Sequence, residues 1–212
     1  AFQPAPTRIA GAAWHDHMSA EELAGGREVI VYCVHGHNVS EIAAAKLRHA
    51  GASVRMLEGG IEAFAAAGGL LVKKSAELPG GSGAPSVWVT RERPKIDRIA
   101  CPWLIRRFID PKAVFHFVAP EWVNDIVAEV GGTAYDIDGV FWSHRGETCT
   151  FDTMIAEYGL KSAALDTVAR IVRGADTARL DLAPEAAGLL AISLGLSRMF
   201  HNDLEQLDAG MA

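Results

Sequence analysis

Cys33 is the residue of this chain whose surroundings best suit nucleophilic chemistry. The apolar residues 29–32 predict a buried strand ending at this cysteine, and a loop of residues 34–37 and a helix over residues 42–50 follow it. A thiol among the backbone N–H donors of such a loop, near the positive end of a helix, is favoured as thiolate. The same donors form a cradle for a tetrahedral anion. The predicted anion-binding loop consists of His35, Gly36, His37, Asn38, Val39 and Ser40.

The helix after this loop has two candidate N-caps. Asn38, with Glu41 three residues later, matches a capping box, and Ser40 is the alternative cap. His35 and His37 lie in the loop itself. They either supply hydrogen-bond donors and positive charge to an anion or are ordinary solvated histidines.

A second group of ligand-type residues lies in the C-terminal half. Cys101 precedes Pro102 at one predicted helix start and Cys149 precedes Thr150 at another, which predicts both thiols near positive helix ends. Thiolate, imidazole and carboxylate groups together suit a divalent ion of the Zn²⁺ or Fe²⁺ type, although the spacing matches no standard zinc motif. The alternative is two core thiols, an imidazole packed in a turn and a carboxylate that complements its helix dipole. The predicted metal ligands are Cys101, His144, Cys149 and Asp152.

Three arginines offer a different use for the same region. Planar guanidinium groups match tetrahedral oxyanions such as chromate or sulfate. Arg98 and Arg106 are eight residues apart and share a face if one helix continues through Pro102. The alternative is an ordinary solvated helix face. The predicted oxyanion-binding residues are Arg98, Arg106 and Arg107.

A segment rich in Pro, Gly and Ser over residues 75–85 divides the chain into two predicted domains. In residues 1–74 strands alternate with helices, one of which is expected to begin at Ser19, and this predicts an α/β domain with a mostly parallel sheet. Residues 86–212 are expected to form an α+β domain that is mainly helical. Its predicted strands cover residues 86–90, 114–118, 133–139 and 140–144. Its main predicted helices cover residues 120–129, 152–158, 163–173 (stopped by Gly174) and 184–200. Residues 201–206 could extend the last of these helices.

Charge, hydropathy and cysteine content argue against several classes of protein. The chain has 212 residues and a formal net charge of −6, without the long Lys and Arg run of a nucleic-acid surface. No apolar run approaches the roughly eighteen residues of a membrane span. Three cysteines make no even disulfide framework, which predicts free thiols in a reducing cytoplasm. Homo-oligomerisation is compatible with the sequence.

The Cys33 loop resembles the active-site loop of rhodanese sulfurtransferases. Residues 54–64, VRMLEGGIEAF, are similar to the strand, turn and helix with which rhodanese domains finish. The resemblance implies that Cys33 carries sulfur as a persulfide and that this domain needs no cofactor. Asn38 occupies a position where sulfurtransferases often carry Arg, which predicts weak handling of an anionic donor. Few residues precede the segment 8–14, so the domain is expected to be truncated at its N-terminus and to expose a sheet edge.

Four stretches of the second predicted domain resemble the chromate-resistance family, whose domain also forms the C-terminus of chromate-responsive regulators. They are residues 97–108, 143–152, 171–177 and 184–199, of which the first two are the more specific. The resemblance covers about residues 86–212. It implies a role in chromate resistance and fits a rhodanese-like domain fused in front.

These observations lead to competing hypotheses of function. In the first, a chromate-resistance protein combines sulfur transfer through a Cys33 persulfide with an oxyanion- or metal-responsive domain. Its expected partners are a small-molecule sulfur donor or an oxyanion. In the alternative, the chain is a non-catalytic sensor of chromate, another oxyanion or a metal, with a degenerate rhodanese module. A third hypothesis gives both domains a purely structural role.

Overall fold

The computed structural model describes residues 6–12, 28–74, 78–80 and 84–212. The helix predicted to begin at Ser19 and much of the predicted linker lie outside these residues. Within them, no helix combines the length and the apolarity needed to cross a membrane.

The N-terminal region is a small α/β unit. Its elements are β1 (Thr7–Ile9), β2 (Val29–Val31), α1 (Asn38–His49), β3 (Val54–Met56), α2 (Gly60–Ala66) and β4 (Leu71–Lys73). Strands β2 and β3 run parallel, while β1 and β4 run antiparallel in a separate ladder. The predicted α/β architecture is therefore confirmed in part, because only one of the two described ladders is parallel.

Two local predictions for this region are wrong. Strand β2 is not buried, since the Ile30 side chain is 58% exposed; a two-stranded ladder this short leaves one face uncovered among the described residues. The N-cap of α1 is His37, without a side-chain cap hydrogen bond. Asn38 already lies in the first helical turn, so the predicted capping box does not form. The Ser40 hydroxyl donates to the His37 carbonyl at 3.0 Å instead.

The C-terminal region is mainly helical, as predicted, and its helices surround a three-stranded sheet. Its elements are β5 (Val87–Arg91), α3 (Asp97–Leu104), a π-helix (Ile105–Ile109), β6 (Val114–Val118), a 3₁₀ turn (Pro120–Trp122), α4 (Val123–Val130), β7 (Thr133–Ala134), α5 (Thr150–Tyr158), α6 (Ala163–Asp176), a second 3₁₀ turn (Leu180–Leu182), α7 (Ala186–Met199) and α8 (Asp203–Met211). The sheet has the order β6-β5-β7, and both pairings are parallel. The carboxyl ends of its strands therefore meet at one edge, where parallel sheets commonly place binding residues.

The strand predicted over residues 140–144 is wrong. This segment makes a single bridge, between Tyr135 and Trp142, and otherwise runs through turns. Asp136 and Gly139 both have positive φ, 53° and 79°, and such residues interrupt an extended chain. The result is a long connection between β7 and α5 that carries His144.

Helix α3 begins earlier than predicted, which moves Cys101 from a helix start to a helix interior. Pro102 is the sixth residue of α3 rather than a first-turn residue. A proline in that place leaves the carbonyl four residues earlier without its usual donor. Here the Tyr135 hydroxyl donates to the Arg98 carbonyl at 3.4 Å. The buried tyrosine thus compensates for the missing N–H and lets the helix continue into the π-helix.

The ends of two other helices also differ from prediction. Gly174 does not stop α6, which runs on to Asp176; a Cβ on Gly174 would lie 2.9 Å from the Cβ of Ala186, so the glycine serves a close approach to α7. Residues 201–206 do not extend α7. Residues 203–206 belong to the separate helix α8, whose N-cap Asn202 accepts from the Leu204 amide at 2.9 Å.

The β1–β4 ladder packs on the C-terminal region. Val72 of β4 is fully buried in the same apolar core as the second region. The Arg8 side chain, also buried, donates to the Ile109 carbonyl, and the Tyr158 hydroxyl donates to the Pro79 carbonyl at 2.9 Å. Contacts thus cross the predicted linker, while the exact domain boundary stays a prediction.

Candidate functional site

Cys33 lies two residues after the end of the short strand β2, in the loop that leads into helix α1. Its Sγ atom is 3.3 Å from the Ser40 hydroxyl and 3.5 Å from the His37 carbonyl oxygen. Ser40 is buried, whereas Cys33 keeps part of its surface open to solvent. The strand, cysteine, loop and helix therefore follow one another as predicted, with the thiol accessible.

The second rhodanese-like stretch closes the Cys33 loop from the other side. The Ile61 amide donates to the Cys33 carbonyl at 3.0 Å. Gly60 lies at φ 62°, and a Cβ on it would be only 2.4 Å from that same carbonyl oxygen. A Cβ on Gly36 would be 2.8 Å from the amide nitrogens of Gly59 and Gly60. The glycines of both stretches are thus needed because two pieces of backbone meet without room for a side chain.

The loop lowers the pKa of the Cys33 thiol. Partial burial raises this pKa, but the Ser40 hydroxyl and backbone hydrogen bonds from Ser40, His37 and Gly36 outweigh burial and bring it down to about 7. Hydrogen bonds that favour the anion act in this direction. Close to half of the thiol is then thiolate at neutral pH, the form that acts as nucleophile.

The remaining residues of the predicted anion loop divide into two groups. Gly36 and Ser40 are buried against the thiol, whereas the other four side chains are exposed. The His35 ring lies 3.0 Å from the Glu62 carboxylate, so a negative charge already accompanies this histidine. Asn38 itself brings no cation to the loop. The exposed residues are His35, His37, Asn38 and Val39.

The two cysteines of the second region lie where the thiolate is disfavoured. Cys101 is fully buried, and burial, followed by the charge of nearby Asp97, raises the pKa of its thiol. Cys149 is the N-cap of α5. Burial again raises its pKa, followed by the carboxylates of Asp97 and Asp152. The expectation of thiolates at these two positions is wrong. Cys101 lies inside α3 rather than at a helix start, and at Cys149 burial and the adjacent carboxylates outweigh the helix end.

Asp152 is already engaged as a capping residue. Its Oδ2 accepts from the Cys149 amide at 3.0 Å, and its Oδ1 forms an ion pair of 3.1 Å with Arg173. Of the four predicted metal ligands, this leaves His144 as the member that joins a different cluster.

His144 faces three carboxylates that come from separate parts of the fold. Its Nε2 is 3.1 Å from Asp176 Oδ2, 3.5 Å from Asp136 Oδ1 and 3.6 Å from Asp97 Oδ2. Asp97 opens α3, Asp176 ends α6 and Asp136 follows β7. The ligand atoms of Asp97, His144 and Asp176 all lie within 4.8 Å of one another, a spacing that could hold a metal ion.

The electrostatics of this cluster are dominated by negative charge. Burial raises the pKa of Asp97, and the carboxylates of Asp176 and Asp136 raise it further. Burial and then Asp136 raise the pKa of Asp176. The hydrogen bond to Asp136 raises the pKa of His144 to about 9, against an opposing effect of burial. Such shifts are typical of sites with a functional constraint.

The three predicted oxyanion-binding arginines have separate partners. Arg98 Nε is 3.3 Å from Asp136 Oδ2, Arg106 pairs with Asp208 at 3.4 Å, and the Arg107 guanidinium lies 5.7 Å from the Trp103 ring centre. The change from α3 to a π-helix alters the angular spacing along the chain. The shared face predicted from an eight-residue spacing therefore has no support in these contacts.

Sequence reasoning missed three carboxylates of the cluster: Asp97, Asp136 and Asp176. Asp97 and Asp176 lie inside two of the four stretches that carry the family resemblance. Their residue type and their membership of those stretches were the available signal. Nothing in the sequence spacing indicated that the ends of α3 and α6 meet.

Comparison with protein families gives two matches along the chain. The model of the ChrB C-terminal domain matches residues 88–212, and that of the rhodanese-like domain matches residues 6–67. A curated relative, Protein ChrB of Cupriavidus metallidurans, is 33% identical over 123 residues, which are 57% of this chain and 36% of that protein. The chain thus spans about a third of the length of that relative.

No solved structure matches the chain. Both resemblances drawn from the sequence are confirmed by the family matches, and the ChrB model alone covers more than half of the residues. This chain belongs to the ChrB family through its C-terminal domain and carries a rhodanese-like domain in front of it.

Proposed function

We propose that this protein acts in chromate resistance and that its rhodanese-like domain transfers sulfur through a persulfide on Cys33. The observation that carries the proposal is the partly exposed Cys33 thiol, whose pKa is brought to about 7 by the Ser40 hydroxyl and backbone hydrogen bonds against the effect of burial. A buried structural cysteine has no need of such an environment.

The transfer proceeds in two displacements. The Cys33 thiolate attacks the outer sulfur of a donor such as thiosulfate, the donor S–S bond breaks, and sulfite leaves with the bonding electron pair. Cys33 is left as a persulfide anion, whose terminal sulfur takes the place beside the loop amides that favour negative charge. A thiolate acceptor then attacks this terminal sulfur and the Cys33 thiolate is regenerated.

Thiosulfate turnover is expected to be slow. The donor is a dianion, and recognition of such a group usually employs a guanidinium fork. Asn38 supplies none, and His35 is accompanied by Glu62 at 3.0 Å. The loop therefore activates the nucleophile more than it binds an anionic donor.

Incubation of the protein with thiosulfate, followed by peptide mass spectrometry, tests this proposal. The peptide that contains Cys33 is expected to gain one sulfur atom, about 32 Da, which corresponds to a cysteine persulfide. Cys33→Ser is the control and should take up no sulfur. Labelling of Cys101 or Cys149 with Cys33 left unmodified would contradict the assignment.

We also infer that the C-terminal region responds to a divalent metal ion, zinc or iron, rather than binding an oxyanion through arginines. The His144 cluster of carboxylates favours a cation, whereas Arg98 is already paired with Asp136. A non-catalytic sensor is the competing function. Chromate tolerance of cells separates the two: a sensor requires His144 and tolerates Cys33→Ser, whereas a sulfur-transfer role requires Cys33.

A further inference from the structure

We propose that Asp97, His144 and Asp176 are the protein ligands of one divalent first-row transition-metal ion. The proposal rests on the metal-responsive role inferred for the C-terminal region and gives that role its ligands. It differs from the sequence prediction in three of four residues. It retains only His144 and replaces both thiols and Asp152 by two other carboxylates.

The geometry of the three side chains suits a common ion. Metal–ligand bonds of roughly 2.0–2.2 Å to imidazole and carboxylate place two adjacent ligand atoms about 3–4 Å apart. His144 Nε2 lies 3.1 Å from Asp176 Oδ2 and 3.6 Å from Asp97 Oδ2. All three ligand atoms lie within 4.8 Å of one another. Only small side-chain movements separate this arrangement from a coordinated one.

Asp97 provides an independent sign that a ligand belongs here. Its side chain is completely buried, and its Oδ2 accepts from the amides of Thr150 at 2.5 Å and Phe151 at 3.3 Å. Its Oδ1 has no hydrogen-bond partner among the described residues. A buried carboxylate oxygen without a partner carries a large desolvation cost. A cation bound by the Asp97 carboxylate offsets this cost, while the amides of Thr150 and Phe151 hold the carboxylate in place.

The charges around the cluster fall into two groups. The third carboxylate, Asp136, is neutralised by Arg98 at 3.3 Å and Arg91 at 3.6 Å. Within the described part of the chain, the ion pairs of Asp97 and Asp176 are both with His144. When that imidazole binds a metal it is neutral, so two carboxylates remain without a cation. A divalent ion neutralises these three ligands, while Asp136 with its two arginines retains one positive charge.

The ligand types define the class of ion. One imidazole and two carboxylates suit Mn²⁺, Fe²⁺ or Zn²⁺ and disfavour soft ions such as Cu⁺, which prefer sulfur. Cys149 Sγ donates to Asp152 Oδ2 at 3.3 Å, and this thiol is not part of the proposed ligand set. Three protein ligands leave coordination positions open, as in metal sites that bind water or a small ligand. His144, 41% exposed, gives solvent a route to those positions.

The rival explanation is an ion-pair cluster in which a protonated His144 neutralises the carboxylates and no metal binds. The two explanations differ in a direct measurement. Full-length protein freed of metal with a chelator is titrated with Mn²⁺, and free Mn²⁺ is followed by electron paramagnetic resonance. Zn²⁺ binding is measured in parallel by equilibrium dialysis.

The expected result is one ion bound per chain. His144→Ala and Asp176→Asn should each weaken binding by at least about tenfold, the smallest loss seen even when an outer partner of a metal ligand is removed. Asp138→Asn and Asp166→Asn are matched controls. Both are exposed, one in the connection that carries His144 and one on α6 with Asp176, and both should leave the affinity unchanged. Asp97 is left intact because it caps α5.

The outcomes separate this inference from the role on which it rests. If the folded wild-type chain binds no Mn²⁺ or Zn²⁺, both the ligand assignment and the metal-responsive role fail. If an ion binds equally well to His144→Ala and Asp176→Asn, the assignment fails and the metal-responsive role survives. Circular dichroism confirms that each variant is folded. Because His144 is partly exposed, its replacement tests the site even if Asp176→Asn disturbs α6.

Discussion

The thiols of the two regions have opposite properties although all three were predicted at the positive ends of helices. Cys33 has a pKa of about 7, because its hydrogen bonds to the Ser40 hydroxyl and to backbone groups outweigh the effect of burial. Burial raises the pKa of both Cys101 and Cys149. Cys101 proved to lie within a helix, but Cys149 is a true N-cap.

Cys149 shows why a helix end alone does not make a thiolate. The helix dipole is equivalent to roughly half a positive charge at its N-terminus. The Cys149 sulfur is buried and lies near two carboxylates, Asp97 and Asp152. The desolvation cost of burial and the two carboxylates together outweigh the partial positive charge of the helix end. At Cys33 the donors point to the sulfur itself and solvent remains nearby, so hydrogen bonding decides the outcome.

The largest expected effect is selective alkylation of Cys33 in the native protein. At pH 7 a thiol of pKa about 7 is about half ionised, whereas an ordinary thiol of pKa about 8.5 is only about 3% ionised. Burial raises the pKa of Cys101 and Cys149 and lowers their ionised fraction further, so ionisation alone favours Cys33 by more than about tenfold. Timed iodoacetamide labelling followed by peptide mass spectrometry measures this ratio. All three cysteines should react once the protein is unfolded in guanidinium. If Cys101 or Cys149 were labelled in the native protein as fast as Cys33, the proposed difference in thiol pKa between the two regions would be contradicted.

The next effect concerns the backbone contact that shapes the Cys33 loop. Gly60→Ala adds a Cβ 2.4 Å from the Cys33 carbonyl at a φ of 62°, and this should lower the free energy of unfolding by about 1–3 kcal/mol or displace the loop. Displacement removes the donors from the sulfur and returns the Cys33 pKa toward about 8.5. Thermal unfolding and the pH profile of alkylation report the two outcomes.

Gly68→Ala is the matched control for this substitution. Gly68 has a similar φ, 78°, but a Cβ there meets nothing within 4 Å. The Gly68→Ala substitution therefore introduces similar backbone strain without the steric clash. A Gly60→Ala protein that matches Gly68→Ala in both stability and Cys33 reactivity would show that the contact does not shape the loop.

The pH dependence of Cys33 gives a smaller and more local test. The alkylation rate should fall about tenfold per pH unit below pH 7 and level off above it, because only the thiolate reacts. Ser40→Ala removes the hydroxyl 3.3 Å from Sγ. Loss of a hydrogen bond of about 1 kcal/mol raises the pKa by about 0.7 unit and slows the reaction at pH 7 a few-fold. Ser53→Ala, at an exposed serine, should change nothing. An unshifted midpoint in Ser40→Ala would assign the low pKa to the backbone donors alone.

The contrast between the regions also explains what the sequence could predict. The Cys33 loop depends mostly on consecutive residues, so its order of strand, cysteine, loop and helix was readable, as was the stretch 54–64 that closes it. The cluster at His144 depends on where α3 begins and where α6 ends. The start of α3 was misjudged because Pro102 is typical of a first helical turn. Tyr135, more than thirty residues away, stabilises the helix through the Arg98 carbonyl, and no local pattern reports such a contact.

The smallest expected effect is a gain in donor binding when the loop receives a cation. Asn38 is exposed in the first turn of α1, so Asn38→Arg places a guanidinium near the loop at a modest cost against the helix dipole. An exposed charge pair contributes about 0.2–1 kcal/mol, which corresponds to an increase in kcat/KM for thiosulfate of about 1.4- to 5-fold. The gain should fade as salt screens the charge, and the neutral control Asn38→Gln should show none. Equal activity of Asn38→Arg and Asn38→Gln at low salt would mean that loop charge does not limit turnover, and that the loop is adapted to a donor without a dianionic group.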